Sequence, residues 1–332
     1  MASAPLIWAL TDDRAGNTAQ VLGVAEALIR PFMVKDIRYN PLAILPSAVL
    51  GAHAYGLAPE SRMDFVASLP GAAPDVVISA GRRTAPIARW IRRRAGKSVL
   101  LVHLMHPGYG AQDFDLIVVP NHDKLPPAGD APNVMRITGA PHRVSAVRLD
   151  LAAEQWKIQV GGMPRPFIAL LMGGATHSQA FPPDRAAELG RAVHRMAAEV
   201  GGSVLLTTSR RTGIGSEQAL DSAVPEPRRA FFWSRGGDNP YMGFLALADA
   251  IVATGDSVSM CSEACATPAP VYIYAPADMT VRKHRRLHQE LYDLGLARPF
   301  TGRFDDWTHP PLNAASEIAR AIDDLIAGRG RG

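Results

Sequence analysis

Residues 248–276 read ADAIVATGDSVSMCSEACATPAPVYIYAP, and this stretch decides the fold class. An apolar run, 250–253, ends in Thr254-Gly255-Asp256-Ser257. Short apolar runs bounded by turn residues read as buried strands. Residues 257–266 are mostly small, are long enough for a short helix, and carry one acid, Glu263. Pro268 and Pro270 then lead into a second apolar run, 271–274. Strand, loop, helix, strand is the unit of a parallel α/β sheet. Open sheets of this kind bind ligands at the carboxyl ends of their strands, so the loop hydroxyls and the helix start belong to that edge. Glu263 falls in the helix's second turn, within reach of a sugar hydroxyl there.

Outward from this unit the same grammar recurs in two series. In the first, strands are expected at 6–10, 75–79, 99–104, 116–120 and 135–138, with helices at 17–30 and 86–94. Residues 41–73 are less regular and read as helical. A helix at 145–160 and the breaker-rich run GGMPRP, 161–166, separate the halves. In the second series strands are expected at 167–172, 203–208 and 229–233, with helices at 184–200 and 241–248. The unit quoted above follows, then a basic helix at 282–294 and a closing helix at 313–327. The expected fold class is α/β, with two Rossmann-like domains facing a cleft. The expected domains are 1–145, a helix and linker at 146–166, a second domain at 167–312, and a C-terminal helix in 313–332 that can pack back on the first domain.

Composition narrows the function classes. The chain has 332 residues, is 47% hydrophobic, and spreads 27 Pro and 29 Gly between its apolar runs, as α/β loops require. No run approaches the roughly 18–20 apolar residues of a membrane span. The first apolar stretch, 5–10, has no basic region before it and runs into Thr11-Asp12-Asp13, so it reads as a strand rather than a signal peptide. A cytoplasmic location is expected. Cys261 and Cys265 stand four apart on a predicted helix and read as buried thiols, not metal ligands. A net charge of +4 is too small to indicate nucleic acid. Its local density says more: Arg82, Arg83, Arg89, Arg92, Arg93, Arg94 and Lys97 form one basic segment, and 282–286 another. Such segments meet phosphates or an anionic membrane surface, or are solvated helix faces. Arg89, Arg92 and Arg93 fall on one helical face and are expected to meet that membrane surface.

Several strand ends carry candidate chemistry. Gly173-Gly174-Ala175-Thr176 follows a strand, where glycines let backbone approach a pyrophosphate. Thr207-Thr208-Ser209-Arg210-Arg211-Thr212 closes the next strand with hydroxyls and guanidinium groups suited to phosphate. Thr11-Asp12-Asp13-Arg14-Ala15-Gly16-Asn17, with Gln20 one turn on, joins the first strand to its helix. Asp12 or Asp13 is a candidate general base toward a hydroxyl. Among the histidines, His103 and His106 flank a strand end, and His106 is the other candidate base. His284 and His288 have metal-compatible spacing, but Arg285 and Arg286 between them speak against a metal. Asp113-Phe114-Asp115 imitates a metal-binding DxD but precedes its strand, which puts it at the wrong edge. No metal site is expected.

The strand, Gly-Asp-Ser loop, helix Glu and Pro of 248–276 resemble the donor site of GT-B glycosyltransferases, such as the N-acetylglucosaminyltransferase that completes the peptidoglycan lipid precursor. Over nearly the whole chain, LTDDRAGNTAQVLGVAEAL, GRRTAPIARWIRRR, TGAPHRV, TTSRRT, NPYMGFLALADAIVATGDSVSM and ARPF resemble the mitochondrial fission (elongated-mitochondria) family of plants and bacteria. The GT-B resemblance implies a metal-independent glycosyltransferase with no cofactor beyond its nucleotide-sugar donor, UDP-linked in the expected case. Gly173, Gly174, Thr208, Arg210, Arg211, Ser257, Ser259 and Glu263 would bind the donor, with Glu263 on the ribose hydroxyls. Arg14, Asn17, Gln20, Arg82 and Arg83 would bind the acceptor, which is lipid-linked if the protein sits peripherally on the inner face of the cell membrane. The alternative implied by the fission family is a non-catalytic, membrane-associated adaptor.

Overall fold

The computed structural model describes residues 4–329 apart from 70, 72, 97, 125–130 and 175–180. Lys97, Ala175 and Thr176, all weighed above, lie outside the described residues. The chain divides into two compact units, residues 1–143 with 313–332, and residues 144–312.

In the first unit β1 (Ile7–Thr11), β2 (Phe32–Asp36), β3 (Val76–Ala80), β4 (Leu100–Leu104), β5 (Leu116–Pro120) and β6 (Val134–Ile137) form a six-stranded sheet, order β2-β1-β3-β4-β5-β6. All its pairs are parallel. The helices are α1 (Ala15–Ala27), α2 (Ser47–Leu50), α3 (Pro59–Ser68) and α4 (Ala85–Ala95), with the closing helix Ala314–Arg329. Alternate residues of one strand enter opposite cores. Ile7 and Ala9 pack with Val21 and Val24 of α1 and Ile318 of the closing helix, while Trp8 and Leu10 pack with Phe65 of α3 and Ile87 of α4. Burial on both faces is why these strands read as unbroken apolar runs rather than alternating ones.

In the second unit β7 (Phe167–Met172), β8 (Ser203–Thr208), β9 (Arg228–Phe231), β10 (Ala250–Thr254), β11 (Val271–Tyr274) and β12 (Arg298–Pro299) make another six-stranded sheet, order β12-β11-β10-β7-β8-β9. It too is parallel throughout. Its helices are α5 (Ala146–Val160), α6 (Pro183–Glu199), α7 (Ile214–Ala223), α8 (Tyr241–Leu247), α9 (Val258–Ala264) and α10 (Arg282–Asp293). Ile168 and Leu170 face Leu189 of α6 and Leu220 of α7, while Ala169 and Leu171 face Phe244 of α8 and Leu287 of α10. The helix at 146–160, read above together with a linker, belongs to this unit.

The strand orders locate the binding edges. In each sheet the chain winds outward in opposite directions from one central pair, β1 and β3 in the first unit, β7 and β10 in the second. Loops leaving such a pair part company and open a crevice at its carboxyl end.

β2, α7 and β12 were not anticipated. β2 is an edge strand whose Met33 and Val34 are exposed while Lys35 is buried, the reverse of an apolar-in pattern. Lys35 reaches Asp64 at 3.0 Å and Ser68 at 2.8 Å, and its ammonium lies 5.1 Å from the Trp8 ring centroid.

The basic segment on α4 is corrected by its partners. Arg89 is 9% exposed and donates to Asp113 at 2.6 Å and to the Gly51 carbonyl at 3.0 Å. Arg92 pairs with Asp115 and donates to the Val99 carbonyl at 2.9 Å. Neither is available to a membrane. The Asp113-Phe114-Asp115 motif supplies the counter-charges: Asp115 also accepts from Leu101 N–H at 2.7 Å and from Arg329 at 2.8 Å. Asp115→Ala leaves two guanidinium groups and a backbone N–H without their acceptor. It should lower unfolding free energy in urea by about 1.5–3 kcal/mol, the range for hydrogen bonds to charged groups.

Candidate functional site

At the β1–β3 end of the first unit, the turn after β1 folds around Asp12. Its side chain is 1% exposed. The carboxylate accepts from Arg14 N–H at 3.0 Å, Asn17 Nδ2 at 3.3 Å, the Tyr39 hydroxyl at 3.3 Å and Arg83 at 3.5 Å. A carboxylate offers about four acceptor positions, so Asp12 is filled by the protein's own donors and acts as the hub of the loop. Burial, with Asp12 next, pushes the Tyr39 hydroxyl far up, which keeps it a neutral donor. Arg83 pairs with both Asp12 and Asp13 and lies 4.2 Å over the Tyr39 ring. Gly81, at φ +79°, passes so close to Asn17 that a Cβ would stand 2.8 Å from Nδ2. Arg82 turns away and donates to the Leu45 carbonyl at 2.9 Å. Asp13 and Arg14 are exposed, and Gln20 is half-buried.

The two flanking histidines differ from their sequence reading. His103 lies inside β4, fully buried, with Ser79 Oγ 2.8 Å from Nδ1. Burial pushes its pKa down to about 3, so it is a neutral framework residue. His106 is half-buried, and its Nδ1 accepts from Gly108 N–H at 3.1 Å. A backbone N–H can only donate, so the neutral ring carries its proton on Nε2. Burial lowers the pKa further from charge. In this state the His106 ring offers a donor at Nε2 rather than a base.

At the β7–β10 end of the second unit, the glycine turn is closed by the protein itself. Gly173 N–H donates to Thr254 Oγ1 at 2.8 Å and Gly174 N–H to Asp256 Oδ2 at 2.8 Å. A Cβ on Gly173 would stand 2.4 Å from Asp256 Oδ2, and one on Gly174 2.2 Å from the Arg211 backbone. Both glycines are required by neighbouring loops, and their N–H groups do not point to open space. Thr208 is likewise internal, donating to Glu217 at 2.6 Å and accepting from Trp233 N–H at 2.8 Å. Ser209 and Thr212 donate to the Gly173 carbonyl. The hydroxyls of TTSRRT therefore hold the turn, while Arg210 and Arg211 stay exposed.

Asp256 and His284 are not among the donor-site residues expected from the sequence. Asp256 Oδ1 is buried without a partner, and burial raises the carboxyl's pKa against the pull of Gly174 N–H and Arg211. His284, on α10, feels Asp256 and Arg211, and its Nδ1 is buried without a partner. One turn on, His288 donates from Nε2 to the Gly255 carbonyl at 2.9 Å, and a Cβ on Gly255 would meet its ring at 2.5 Å. The His284/His288 spacing thus docks α10 against the β10 loop. The available signal is Asp256 itself, which follows β10 in the loop that meets Gly174.

On α9, Ser257 caps the helix by accepting Met260 N–H at 3.3 Å, and Ser259 is half-buried. Glu263 accepts from the Tyr241 hydroxyl at 2.6 Å, and burial pushes its pKa up to about 7. Gly173, Gly174, Asp256, Ser209 and Thr212 thus form one connected turn, Arg211 lies against Gly174, and Glu263 sits two turns along α9 with Tyr241.

Residues 15–326 match the family described as Mitochondrial fission ELM1. The chain belongs to that family. It is 33% identical over 280 residues to the Mitochondrial fission protein ELM1 of Arabidopsis thaliana, covering 77% of this chain and 65% of the plant protein. This member of the ELM1 family therefore spans less than two thirds of that relative's length. Among solved structures it resembles UDP-GlcNAc 2-epimerase from Methanocaldococcus jannaschii, with a TM-score of 0.59 at 13% identity, covering 97% of this chain and 99% of the other. It also resembles Acinetobacter baumannii MurG, with a TM-score of 0.52 at 12% identity, covering 97% and 100%. These likenesses establish the GT-B-like fold: two Rossmann-type α/β units. Among the described residues no helix is long and apolar enough to cross a membrane.

The raised Glu263 pKa has a measurable signature. The folded protein holds a proton on Glu263 up to about 7, whereas the unfolded chain releases it near 4.5. Between those values the folded state binds the extra proton, so stability falls as pH rises through the window. Glu263→Gln, which cannot ionise, should show a flatter urea-unfolding free energy across it, with the variant gaining on the wild type toward pH 7.

Proposed function

We propose that the protein is a glycosyltransferase that moves a sugar from a nucleotide-sugar donor, UDP-linked, to an acceptor. The second unit would hold the donor and the first unit the acceptor. The observation that carries this reading is the polar cluster at the β7–β10 switch point, where exposed Arg210 and Arg211 adjoin the Gly173-Gly174 turn and α9 follows with Ser259 and Glu263. Glu263 Oε2 takes the Tyr241 hydroxyl, which leaves Oε1 for a ribose hydroxyl. The charge growing on the leaving diphosphate would be met by Arg210 and Arg211, without a metal or further cofactor. Asp13, exposed beside Arg83, is the acidic group available as general base toward the acceptor. Arg14, Asn17 and Gln20 border it. The fold supports the reading through its likeness to UDP-GlcNAc 2-epimerase and MurG, but the site carries it. A lipid-linked acceptor would place the protein peripherally on the inner face of the cell membrane.

The family description favours one second reading, a non-catalytic adaptor at a membrane. Calorimetry with UDP-GlcNAc, UDP and ADP separates the two. The glycosyltransferase reading expects UDP-GlcNAc to bind and Glu263→Ala to weaken it by about 1.5–3 kcal/mol. It also expects affinity to rise from pH 6 to 8 in the wild type, because a diol favours the ionised carboxylate, and to stay level in Glu263→Gln. No binding by any of the three nucleotides would leave the adaptor.

A further inference from the structure

The first unit has a face built on two acid-free stretches that neither sheet edge explains. Residues 37–59 and 76–112 contain no Asp or Glu. The fold lays these two stretches together. Arg82 donates to the Leu45 carbonyl at 2.9 Å, Arg89 to the Gly51 carbonyl at 3.0 Å, and Tyr109 N–H to Ser47 Oγ at 3.2 Å. Arg93 lies 3.4 Å from His53 Nε2, and the His53 ring stacks on Tyr55 at 4.8 Å.

These neighbouring segments expose large apolar side chains. Ile44 is 79% exposed, Val49 65%, Tyr109 56%, Tyr55 53% and Leu42 49%. Leu42 and Ile44 stand on the 3-10 turn Pro41–Ile44, and Val49 on the four-residue helix α2. Apolar groups concentrated in this way mark an interaction surface. Beneath them the platform is pinned: the buried Arg89 guanidinium ties Gly51 to Asp113 and lies 5.6 Å from the Tyr109 ring centroid. Around them Arg82, Arg93 and Arg94 have no carboxylate partner among the described residues, and Arg93 and Arg94 are exposed.

We propose that this face inserts into an anionic phospholipid surface. Leu42, Ile44 and Val49 enter the acyl boundary, Tyr55 and Tyr109 sit at headgroup level, and Arg93 and Arg94 meet lipid phosphates. Apolar tips, tyrosines at their base and an unopposed basic rim are what an interfacial anchor requires. The charge complementarity of Arg82, Arg93 and Arg94 with anionic headgroups favours a lipid surface over a protein partner. The inference deepens the reading above, resting on it for the membrane location of the acceptor, and replaces the Arg89–Arg92 helix face by a different set of residues.

Co-sedimentation of the full chain with vesicles tests it. Vesicles of equal parts phosphatidylglycerol and phosphatidylcholine should bind the wild type, and pure phosphatidylcholine vesicles should bind far less. Ile44→Asp with Val49→Asp should lower the partition coefficient at least about tenfold at any ionic strength, since each carboxylate is repelled from the acyl boundary. Arg93→Gln with Arg94→Gln should lower it about tenfold at low salt and little at high salt, where exposed charges are screened. Ile44→Ser with Val49→Ser gives a milder check should the acidic pair misfold. Equal sedimentation of the wild type and both apolar variants overturns the proposal. So does a wild-type dimer in solution that the variants abolish, because the face would then belong to a second copy. UDP-GlcNAc calorimetry without lipid reads the donor site separately: binding there with no vesicle binding rejects this proposal alone, and the converse rejects only the donor reading.

Discussion

A parallel sheet covered on both faces leaves its polar side chains one place to go, the ends of its strands. Every residue of β1, β3, β4, β5, β7, β8 and β10 is buried. The sequence between strand and helix must therefore carry all the polar chemistry that the edge offers. It must also satisfy the backbone groups freed where the ladder stops. Both demands fall on the same few residues at each switch point. That shared demand is why the loops after β1 and β10 are so dense in Asp, Ser, Thr and Asn, and why their residue types alone do not say which of them meet a ligand.

The two units solve the backbone problem alike. Asp12 leaves β1 and accepts Arg14 N–H; Asp256 follows β10 and accepts Gly174 N–H. In each case a carboxylate of the protein takes the N–H group that a bound phosphate would otherwise approach. On the proposed reading, an anionic ligand at either edge would be recognised chiefly by side chains, Arg14 in the first unit and Arg210 and Arg211 in the second. Exposed guanidinium groups are screened by salt, so recognition of this kind is sensitive to ionic strength.

Much of the fold is legible in the sequence because buried parallel strands announce themselves as short apolar runs between turn residues. β5, β7, β8 and β11 fall on the expected residues. β2 escapes because it lies at an edge with exposed Met33 and Val34, and β12 because Arg298 and Pro299 carry no strand pattern at all. The site was legible in residue type and location but not in engagement. Nothing in TTSRRT says that Thr208 faces inward to Glu217 across nine positions, or that Arg89 and Arg92 find Asp113 and Asp115 from the next strand's approach. Those pairings depend on which turn a loop adopts, and a single sequence does not specify that. The acid-free stretches 37–59 and 76–112 were equally plain to read, but only the fold brings them to one face.

Glu263 shows how an incompletely satisfied group differs from the satisfied ones around it. Asp12 has donors for both oxygens from four groups, and Glu217 takes Thr208 and Ser234 N–H. Among the described residues Glu263 takes one hydroxyl, from Tyr241, and no backbone N–H. One donor does not offset the cost of burying the charge, which is why the pKa rises to about 7. A neighbouring diol would add the donors that the fold withholds and draw the proton off. The helix that carries Glu263 is short, made mostly of small residues, and fixed at its start by Ser257, so the carboxyl is held in place with a single donor. A rigid mount with an unmet demand for donors is the arrangement expected of a recognition group, whereas the filled aspartate of the first unit is the arrangement expected of a strut.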